Sequence, residues 1–251
     1  MPRPKQADPL ARRQILAAAL DVFSRQGYAG TTLDDITAAA NLSKGAIYWY
    51  FESKADLFTT LLGERASIFT ELGNDIGQAI EAAEPPATGP DGFVRAKLTV
   101  KMVAACREFR RWALNHRGEF ALLFGVPLPG LDDGRYDLAD ECALAFAGTF
   151  FRLFLELWQK TPFPVPDDAR IDPGLRDQLS RYRDALGASI SLGATLPLGA
   201  VLTFLRCWTL LYGAVAMEVF GHMRFALEDP APMFEITLGD LAALVGLSYP
   251  W

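Results

Sequence analysis

Residues 31–54 read T-T-L-D-D-I-T-A-A-A-N-L-S-K-G-A-I-Y-W-Y-F-E-S-K, and this stretch decides the fold of the 251-residue chain. Its pattern predicts two short helices joined by a tight turn, with a third helix beginning at its end. Thr32 can cap the first helix, and Asp35 completes a capping box three residues later. Asn41 lies where that helix must end, and asparagine tolerates the left-handed conformation of such a turn. Two short helices joined in this way form a geometry that proteins use to bind DNA.

The exposed face of the second helix favours DNA as the partner. Ser43 can cap this helix, and Lys44 beside it can meet a phosphate. Gly45 lacks the side chain that would hold the backbone off a duplex. Tyr48 and Trp49 present flat apolar surfaces with polar tips, which suit the methyl groups and base edges of a major groove. The alternative is a purely structural helix pair with an aromatic surface patch, because helical hairpins are common.

Further cations lie near this helix pair. Lys54 is placed in the first turn of the third helix, where a cation opposes the helix dipole but where anions are attracted. A lysine at that position indicates that a phosphate docks between it and the free amides. Residues 2–5 are either a basic arm that lies along a groove or a solvated terminus without a role.

Residues 10–62 resemble the N-terminal domain of TetR-family transcriptional regulators. The matching runs are R-x-x-I-L-A-A-A-L-x-V-F at 12–23, G-Y-A-G-T-T at 27–32 and L-S-K-G-A-I-Y-W-Y-F-E-S-K-A-D-L-F at 42–58. Asn41 departs from the family, which usually has glycine in the turn, and Tyr50 stands where histidine is frequent. A tyrosine hydroxyl can still donate to a phosphate. The DNA-contacting residues predicted in this way are Thr32, Ser43, Lys44, Gly45, Tyr48, Trp49, Tyr50 and Lys54.

The distribution of charge agrees with a protein that contacts DNA at one end only. The chain carries 24 Lys and Arg against 30 Asp and Glu, a net charge of −6. Residues 1–54 hold 7 of the basic and 5 of the acidic side chains, so the remainder is strongly acidic. A small basic head on an acidic body fits local DNA contact and not a protein coated with nucleic acid.

The chain lacks the usual signatures of metal binding and catalysis. Its cysteines, Cys106, Cys142 and Cys207, are far apart and form no C-x-x-C pattern, so neither a zinc site nor a disulfide framework is expected. They are most simply buried thiols. The two histidines, His116 and His222, have no spaced carboxylate or nucleophile motif, and no nucleotide-binding glycine motif occurs. We therefore expect no metal, no cofactor and no enzymatic activity.

We expect a cytoplasmic protein without a membrane segment. No signal-peptide pattern opens the chain. The most apolar run, residues 207–217, has only 11 residues between Arg206 and Glu218, which is too short to cross a bilayer.

Helical periodicity predicts an all-α fold with two domains. Residues 1–52 form the three-helix helix-turn-helix DNA-binding domain, and residues 53–251 form a larger helical ligand-binding and dimerisation domain. A helix from Ser53 past Phe69 links them. Further helices are expected at about residues 93–116, 138–160, 197–223 and 232–247.

The body also resembles one TetR subgroup, in which a Trp-x-x-x-His-Gly motif is followed by glutamate and glycine. Here W-T-L-L-Y-G occupies residues 208–213, followed by Glu218 and Gly221. Tyr212 stands where histidine is usual, which leaves the role of that side chain open. The run E-F-A-L-L-F-G-V-P-L-P-G at 119–130 fits the same subgroup.

Two aromatic stripes predict an apolar small-molecule pocket in the body. Large side chains with a few polar tips describe such a pocket, although each residue taken singly is more often core. The family resemblance implies the same location. The predicted ligand-binding residues are Met102, Phe109, Trp112, His116, Phe146, Phe150, Phe154, Trp158, Trp208 and Tyr212.

The resemblance implies a ligand-responsive regulator, a repressor that binds a near-palindromic double-stranded DNA operator as a homodimer and is released by a small apolar effector. Helices 197–223 and 232–247 are the expected interface. Small residues there permit close helix approach and larger ones supply apolar area: Ala200, Gly213, Ala214 and Ala216, with Leu205, Leu211 and Phe220. The alternative is that these stripes only complete the monomer core. A helical-bundle carrier or enzyme acting on an apolar small molecule is the alternative function.

Overall fold

The computed structural model describes residues 8–84, 90–125, 138–189 and 196–249. Ten α-helices order these residues, and the described chain contains no strand, which confirms the all-α prediction. A π-helical turn at Ala121–Gly125 and a 3-10 turn at Asp168–Arg170 complete the elements. The helices are α1 Pro9–Gly30, α2 Leu33–Ala40, α3 Lys44–Tyr50, α4 Lys54–Ala82, α5 Pro90–Asn115, α6 Arg117–Phe120, α7 Leu138–Lys160, α8 Pro173–Ser189, α9 Leu198–Val219 and α10 Ala231–Leu244.

The chain divides into two compact units. Unit 1 comprises the described residues of Met1–Thr70 and Arg117–Ala143, and unit 2 those of Glu71–His116 and Leu144–Trp251. The predicted boundary between residues 52 and 53 concerns the extent of the DNA-binding domain, and it stays a prediction. The basic segment of residues 2–5 lies outside the described residues.

Unit 1 is held by apolar side chains that recur at three- and four-residue spacing in α1 to α4. Asp8 caps α1, because its Oδ1 accepts a hydrogen bond of 2.9 Å from the Leu10 amide. Gly27 (φ 70°, ψ 168°) breaks the helical geometry of α1, and helical residues resume up to Gly30. The core side chains exposed by 1% or less are Ile15, Ala19, Phe23, Ile36, Ile47, Leu57 and Leu61.

Unit 2 packs aromatic rings from α7 and α9 at steep angles. Phe204 lies edge-on to Phe151 and Phe154, with centroid distances of 5.0 and 5.5 Å. Phe154 meets Phe163 in the same way at 5.5 Å. Edge-to-face contacts of this kind stabilise a core beyond the burial of apolar area.

Helix α9 is long and apolar enough, by length and composition alone, to cross a membrane, with a mean hydropathy of 1.5 over its most apolar window. Only a third of that window is buried. The buried side includes Phe204, Leu211 and Val215, so α9 is a core helix that also carries an exposed apolar side. The sequence estimate of 11 residues counted the uninterrupted apolar run and not the whole helix.

The last two helices end earlier than the sequence predicts. Helix α9 stops at Val219 instead of residue 223, and α10 stops at Leu244 instead of residue 247. Gly221 (φ 71°) and Gly246 (φ 67°) adopt the left-handed conformation just beyond them, which terminates a helix.

The N-terminus of α9 is anchored by the loop that precedes α8. The Asp168 carboxylate accepts hydrogen bonds from the amides of Leu198 (3.1 Å) and Gly199 (2.8 Å). It therefore satisfies two of the amide donors that have no partner within the helix. Gly199 is approached so closely that an added methyl group would overlap the carbonyl oxygen of Pro166.

We expect Gly199→Ala to lower the free energy of unfolding by about 1–3 kcal/mol, because the new methyl group must displace the backbone at Pro166. Gly77→Ala is the matched control, since a methyl group there meets nothing within 4 Å inside α4. The control should raise stability by about 0.5–1 kcal/mol, because alanine is the better helix former. Urea unfolding followed by circular dichroism measures both, and equal effects of the two substitutions would contradict the close approach.

Candidate functional site

Helix α2 is capped at both ends, as the sequence predicts. The Thr32 amide donates to Asp35 Oδ2 (2.8 Å), and the Asp35 amide donates to Thr32 Oγ1 (3.2 Å), so the capping box is complete. The Thr32 hydroxyl, and then the Thr32 amide, lower the pKa of the Asp35 carboxyl. Asn41 adopts the left-handed conformation (φ 52°, ψ 43°) that ends α2. The amides of Asn41 and Leu42 donate to the carbonyl oxygens of Ala38 (3.2 Å) and Thr37 (3.1 Å), and these bonds close the turn that leads to α3.

One face of α3 is buried and the opposite face is open. Ser43 Oγ accepts from the Ala46 amide (3.2 Å), and Ile47 has no exposed surface. Tyr48, on the other side, is 50% exposed. A methyl group added to Gly45 would meet nothing within 4 Å, so packing inside the protein does not require glycine there.

Lys44 is held by a partner that the sequence analysis did not identify. Its Nζ lies 2.7 Å from Asp34 Oδ1, and both side chains are more than half exposed. The Asp34 carboxylate raises the pKa of Lys44, first through the hydrogen bond and then through its charge. A phosphate contact by Lys44 stays a prediction, and in such a contact the phosphate would compete with the Asp34 carboxylate. The signal was available, since Asp34 is an acidic residue in the first turn of the neighbouring helix.

Two aromatic rings at the end of α3 pack against each other. Trp49 and Tyr50 meet edge-on with ring centroids 4.6 Å apart, and Tyr50 packs against the core of unit 1. Trp49 is partly exposed. Tyr50 thus has a packing role that the sequence did not predict, and the DNA contacts of both residues stay predictions.

Lys54 has an internal role that the sequence did not predict. Its Nζ donates to the carbonyl oxygens of Tyr28 and Thr31, both at 2.8 Å, and lies 4.3 Å from the Tyr28 ring centroid. Carbonyl groups at the end of α1 attract a cation, so they explain the charge that the sequence analysis attributed to phosphate alone. An ammonium group has three N–H donors, and the two carbonyl oxygens accept from only two of them. A phosphate contact by Lys54 therefore stays a prediction.

Unit 2 contains an apolar cavity of about 60 Å³ between α5, α7, α9 and α10. Its walls include four of the ten residues predicted to bind a ligand: Met102, Phe150, Phe154 and Trp208. The structure thus brings together the first predicted residue of α5, the two middle ones of α7 and Trp208 of α9.

Three more of the predicted residues pack directly behind that wall. The rings of Phe109 and Phe146 contact both Phe150 and Trp208, with centroid distances between 5.7 and 6.3 Å. Tyr212 stacks on Trp208 at 6.4 Å. Phe109 and Phe146 are almost completely buried, so they hold the wall in place without facing the cavity.

The remaining three predicted residues are not among those that line the cavity. His116 is exposed at the end of α5, where it stacks on Trp112 at 5.1 Å and its Nδ1 lies 3.0 Å from the Trp112 carbonyl oxygen. Trp158 packs edge-on against Phe163 at 5.1 Å in the core. Helical spacing put these residues on the same stripes, but the stripes extend beyond the cavity at both ends. A ligand contact by any of them stays a prediction.

Two thiols that the aromatic stripes did not predict belong to the cavity wall. Cys106 of α5 and Cys207 of α9 both line it, and burial raises the pKa of each thiol to about 12. They are therefore protonated at neutral pH and poor nucleophiles. The side chain of Cys142 lies outside the described residues. Among the described side chains, no cluster of three or more His, Cys, Asp and Glu could hold a metal ion.

Two family models match the chain. Residues 15–61 match the model described as "Bacterial regulatory proteins, tetR family", and residues 102–241 match "Tetracyclin repressor-like, C-terminal domain". The first covers the helix-turn-helix, and the second covers the residues of the cavity wall from Met102 to Leu241.

Similar proteins are named as regulators. The chain is 26% identical over 240 residues to HTH-type transcriptional regulator Rv1816 of Mycobacterium tuberculosis, covering 94% of each protein. It is 46% identical over 57 residues to HTH-type transcriptional regulator AcrR of Shigella flexneri, covering 23% of this chain and 26% of that protein. The crystal structure of regulatory protein SCO4313 shares the fold, with 20% identity, a TM-score of 0.51 and coverage of 95% and 100%.

We expect Lys44→Ala to weaken binding to specific and scrambled duplexes alike and to lower the salt dependence by about one unit, since one phosphate contact is lost. Lys160→Ala, which removes a surface lysine paired with Glu156 in unit 2, is the control. Binding titrations over a salt series measure both slopes. A wild-type slope for Lys44→Ala would show that this face of α3 does not meet DNA.

The partner of Lys44 gives the opposite test. Asp34→Asn should tighten binding to both duplexes, because it removes the carboxylate that competes with phosphate.

Tyr48→Ala should instead change discrimination between base pairs, by roughly 1–3 kcal/mol at the contacted position.

Proposed function

Because the chain belongs to the TetR family of bacterial regulatory proteins, we propose that it is a repressor that binds a near-palindromic DNA operator as a homodimer and is released by a small apolar effector. The observation that carries the proposal is the open face of α3. Its backbone is held by internal caps, while Gly45 and Tyr48 face outward where nothing inside the protein requires them.

The repressor role is supported by a relative of the DNA-binding part. Over 57 residues the chain is 40% identical to a protein of Escherichia coli that carries the name of the acrEF/envCD operon repressor. A repressor needs only to occupy its operator, so a helix-turn-helix with an effector-controlled body is sufficient for the task.

Homodimerisation is supported by the exposed apolar face of α9 and α10. Thr209, Leu210, Gly213 and Met217 recur at helical spacing along α9, and they border a groove of about 250 Å³ together with residues of α10. The large apolar side chains exposed by 38–47% near this face are Leu210, Met217, Phe220, Met233 and Ile236. A monomer rarely leaves so many such side chains on one face, and a second copy would cover them.

Two residues that the sequence placed in the interface belong to the core instead. Ala200 is completely buried, and Leu211 is 3% exposed and lines the cavity. Helical spacing marks both sides of α9 as apolar, so it does not tell which side packs within the subunit. The side that remains for a partner is that of Leu210 and Met217.

The effector is placed in the cavity of unit 2, which the C-terminal family model largely covers. Helix α4 is the element in which we place the coupling, because its residues belong to both units. For release, the effector must favour a state of the protein that binds the operator less well.

Selection of bound genomic fragments tests the proposal as a whole. We expect one or a few fragments that contain two inverted half-sites about one helical turn apart, since paired recognition helices lie about 34–36 Å apart. An apolar compound should release the selected fragment at a concentration that also quenches tryptophan fluorescence. Binding without any sequence preference over a salt series would overturn the operator assignment.

The same fragment tests assembly. Met217→Asp should convert the dimer to a monomer in sedimentation and lower operator affinity about 100-fold, because two carboxylates would face each other across a symmetric interface. Leu175→Asp is the matched control, since Leu175 is an exposed apolar residue of α8 outside the groove. A Met217→Asp protein that stays dimeric would place the interface elsewhere.

A further inference from the structure

The cavity of unit 2 has no charged side chain among its lining residues. Beyond the aromatic residues and Met102, the wall consists of aliphatic side chains, the thiols of Cys106 and Cys207 and the hydroxyl of Thr99. An ionised group that entered would leave water without meeting a countercharge.

The polar atoms of the wall do not change this. The Thr99 hydroxyl donates to the Arg95 carbonyl oxygen at 2.9 Å, so its proton is already used. Burial keeps the thiols of Cys106 and Cys207 protonated, since it raises the pKa of each to about 12. A neutral thiol is a weak donor and a weak acceptor, which cannot replace the hydration of a carboxylate or an ammonium group.

Entry of a small molecule requires the walls of the cavity to move, because the cavity is small. About 60 Å³ is well below the roughly 300–1,000 Å³ of typical small-molecule pockets. Most of the lining residues belong to helices, whose backbone hydrogen bonds resist displacement. Val245 and Leu247 lie instead in residues 245–249, which follow α10 and which we term the C-terminal strap. Their amides donate to one carbonyl oxygen, that of Ala242 in the last turn of α10, at 3.2 and 2.8 Å.

Polar contacts at its end hold the C-terminal strap against α5 and α10. Arg107 donates to both carboxylate oxygens of Glu235 (3.1 and 2.7 Å) and to the Tyr249 hydroxyl (2.8 Å), and that hydroxyl donates to Glu235. Arg95 donates to the Gly246 carbonyl oxygen at 3.0 Å. These contacts are largely exposed to solvent, so they are weaker than the buried contacts of the helices.

We propose that this cavity admits only uncharged apolar molecules, which make room by displacing the C-terminal strap. The role of such a molecule as the effector rests on the function proposed above, whereas the selectivity of the cavity does not. A neutral ligand gains free energy from burying its apolar surface, while a charged analogue of equal size loses its hydration without compensation.

Calorimetry with matched compounds tests the selectivity. Benzyl alcohol, benzoate and benzylamine share one skeleton, and 1-octanol, octanoate and octylamine share another. At pH 7.5 we expect at least one neutral compound to bind, about 100-fold more tightly than its two charged analogues. Equal affinities within both sets, or no binding by either alcohol, would overturn the proposal.

A substitution that fills the cavity tests whether the alcohols bind there. Ala242→Leu should weaken alcohol binding about tenfold or more, because the larger side chain occupies the space beside Ala242. Ala169→Leu, at an exposed position of the 3-10 turn, should bind as the wild type does. Thermal unfolding of both variants checks that they are folded. If Ala242→Leu is folded and binds normally, the alcohols bind elsewhere.

Removal of one hydroxyl tests the C-terminal strap. In Tyr249→Phe the contacts with Arg107 and Glu235 are lost, so the displaced state becomes more populated and the neutral compound should bind about fivefold to tenfold more tightly. Tyr182→Phe, a half-buried tyrosine beside the same core, is the matched control and should leave the affinity unchanged. Unchanged or weaker binding by Tyr249→Phe would overturn the role of the strap.

Operator release separates this inference from the proposed function. If the alcohols bind with the expected selectivity but never release the operator, the effector role fails and the chemistry of the cavity stands. If octanoate or octylamine binds as well as octanol and releases the operator, the ligand-responsive function stands and the selectivity fails.

Discussion

The complete burial of Ile47 is the constraint on which the DNA-binding unit depends. Helix α3 has only seven residues, so it cannot hold its own position and must be fixed by packing. Ile47 packs into the core formed with Ile15, Ile36 and Phe51, and this choice of inner face determines the outer one. Because Gly45 and Tyr48 lie on the opposite side, the surface offered to DNA is a consequence of how the core is filled.

Local features of this unit could be predicted from the sequence, whereas its long-range contacts could not. The capping box at Thr32, the left-handed Asn41 and the cap at Ser43 each depend on residues within three or four positions, and all three are present. The bonds of Lys54 to Tyr28 and Thr31 join residues more than 20 positions apart, and periodicity carries no information about them.

The body shows the same division. The bounds of α7 agree with the prediction, because the length of a strongly apolar helix can be read from the length of its apolar pattern. The sequence could not choose between the two apolar sides of α9, so Leu211 was assigned to the interface although it lies in the core. Four of the ten predicted ligand residues line the cavity, while the C-terminal residues that complete it come from a segment without periodicity.

Ion pairs connect the helices of the body at its edge. Arg110 of α5 donates to both carboxylate oxygens of Glu218 in α9 (2.7 and 2.6 Å) and lies 5.1 Å from the Phe234 ring centroid of α10. Glu218 is only 8% exposed, so replacement of Arg110 alone would leave a nearly buried carboxylate without its countercharge. Bidentate geometry of this kind fixes the relative register of α5 and α9 beside the cavity.

The contact between Asp34 and Lys44 also bears on how fast an operator is found. If Lys44 contacts a phosphate as proposed, every landing on DNA must first separate this pair, whatever the base sequence. The separation costs the same free energy at random and specific sites, so the ratio of their affinities is unchanged while both residence times shorten. Short stays on random DNA let a molecule sample more of the chromosome in a given time. An acidic residue that lowers the affinity of the protein for all DNA can therefore shorten the time needed to find the operator.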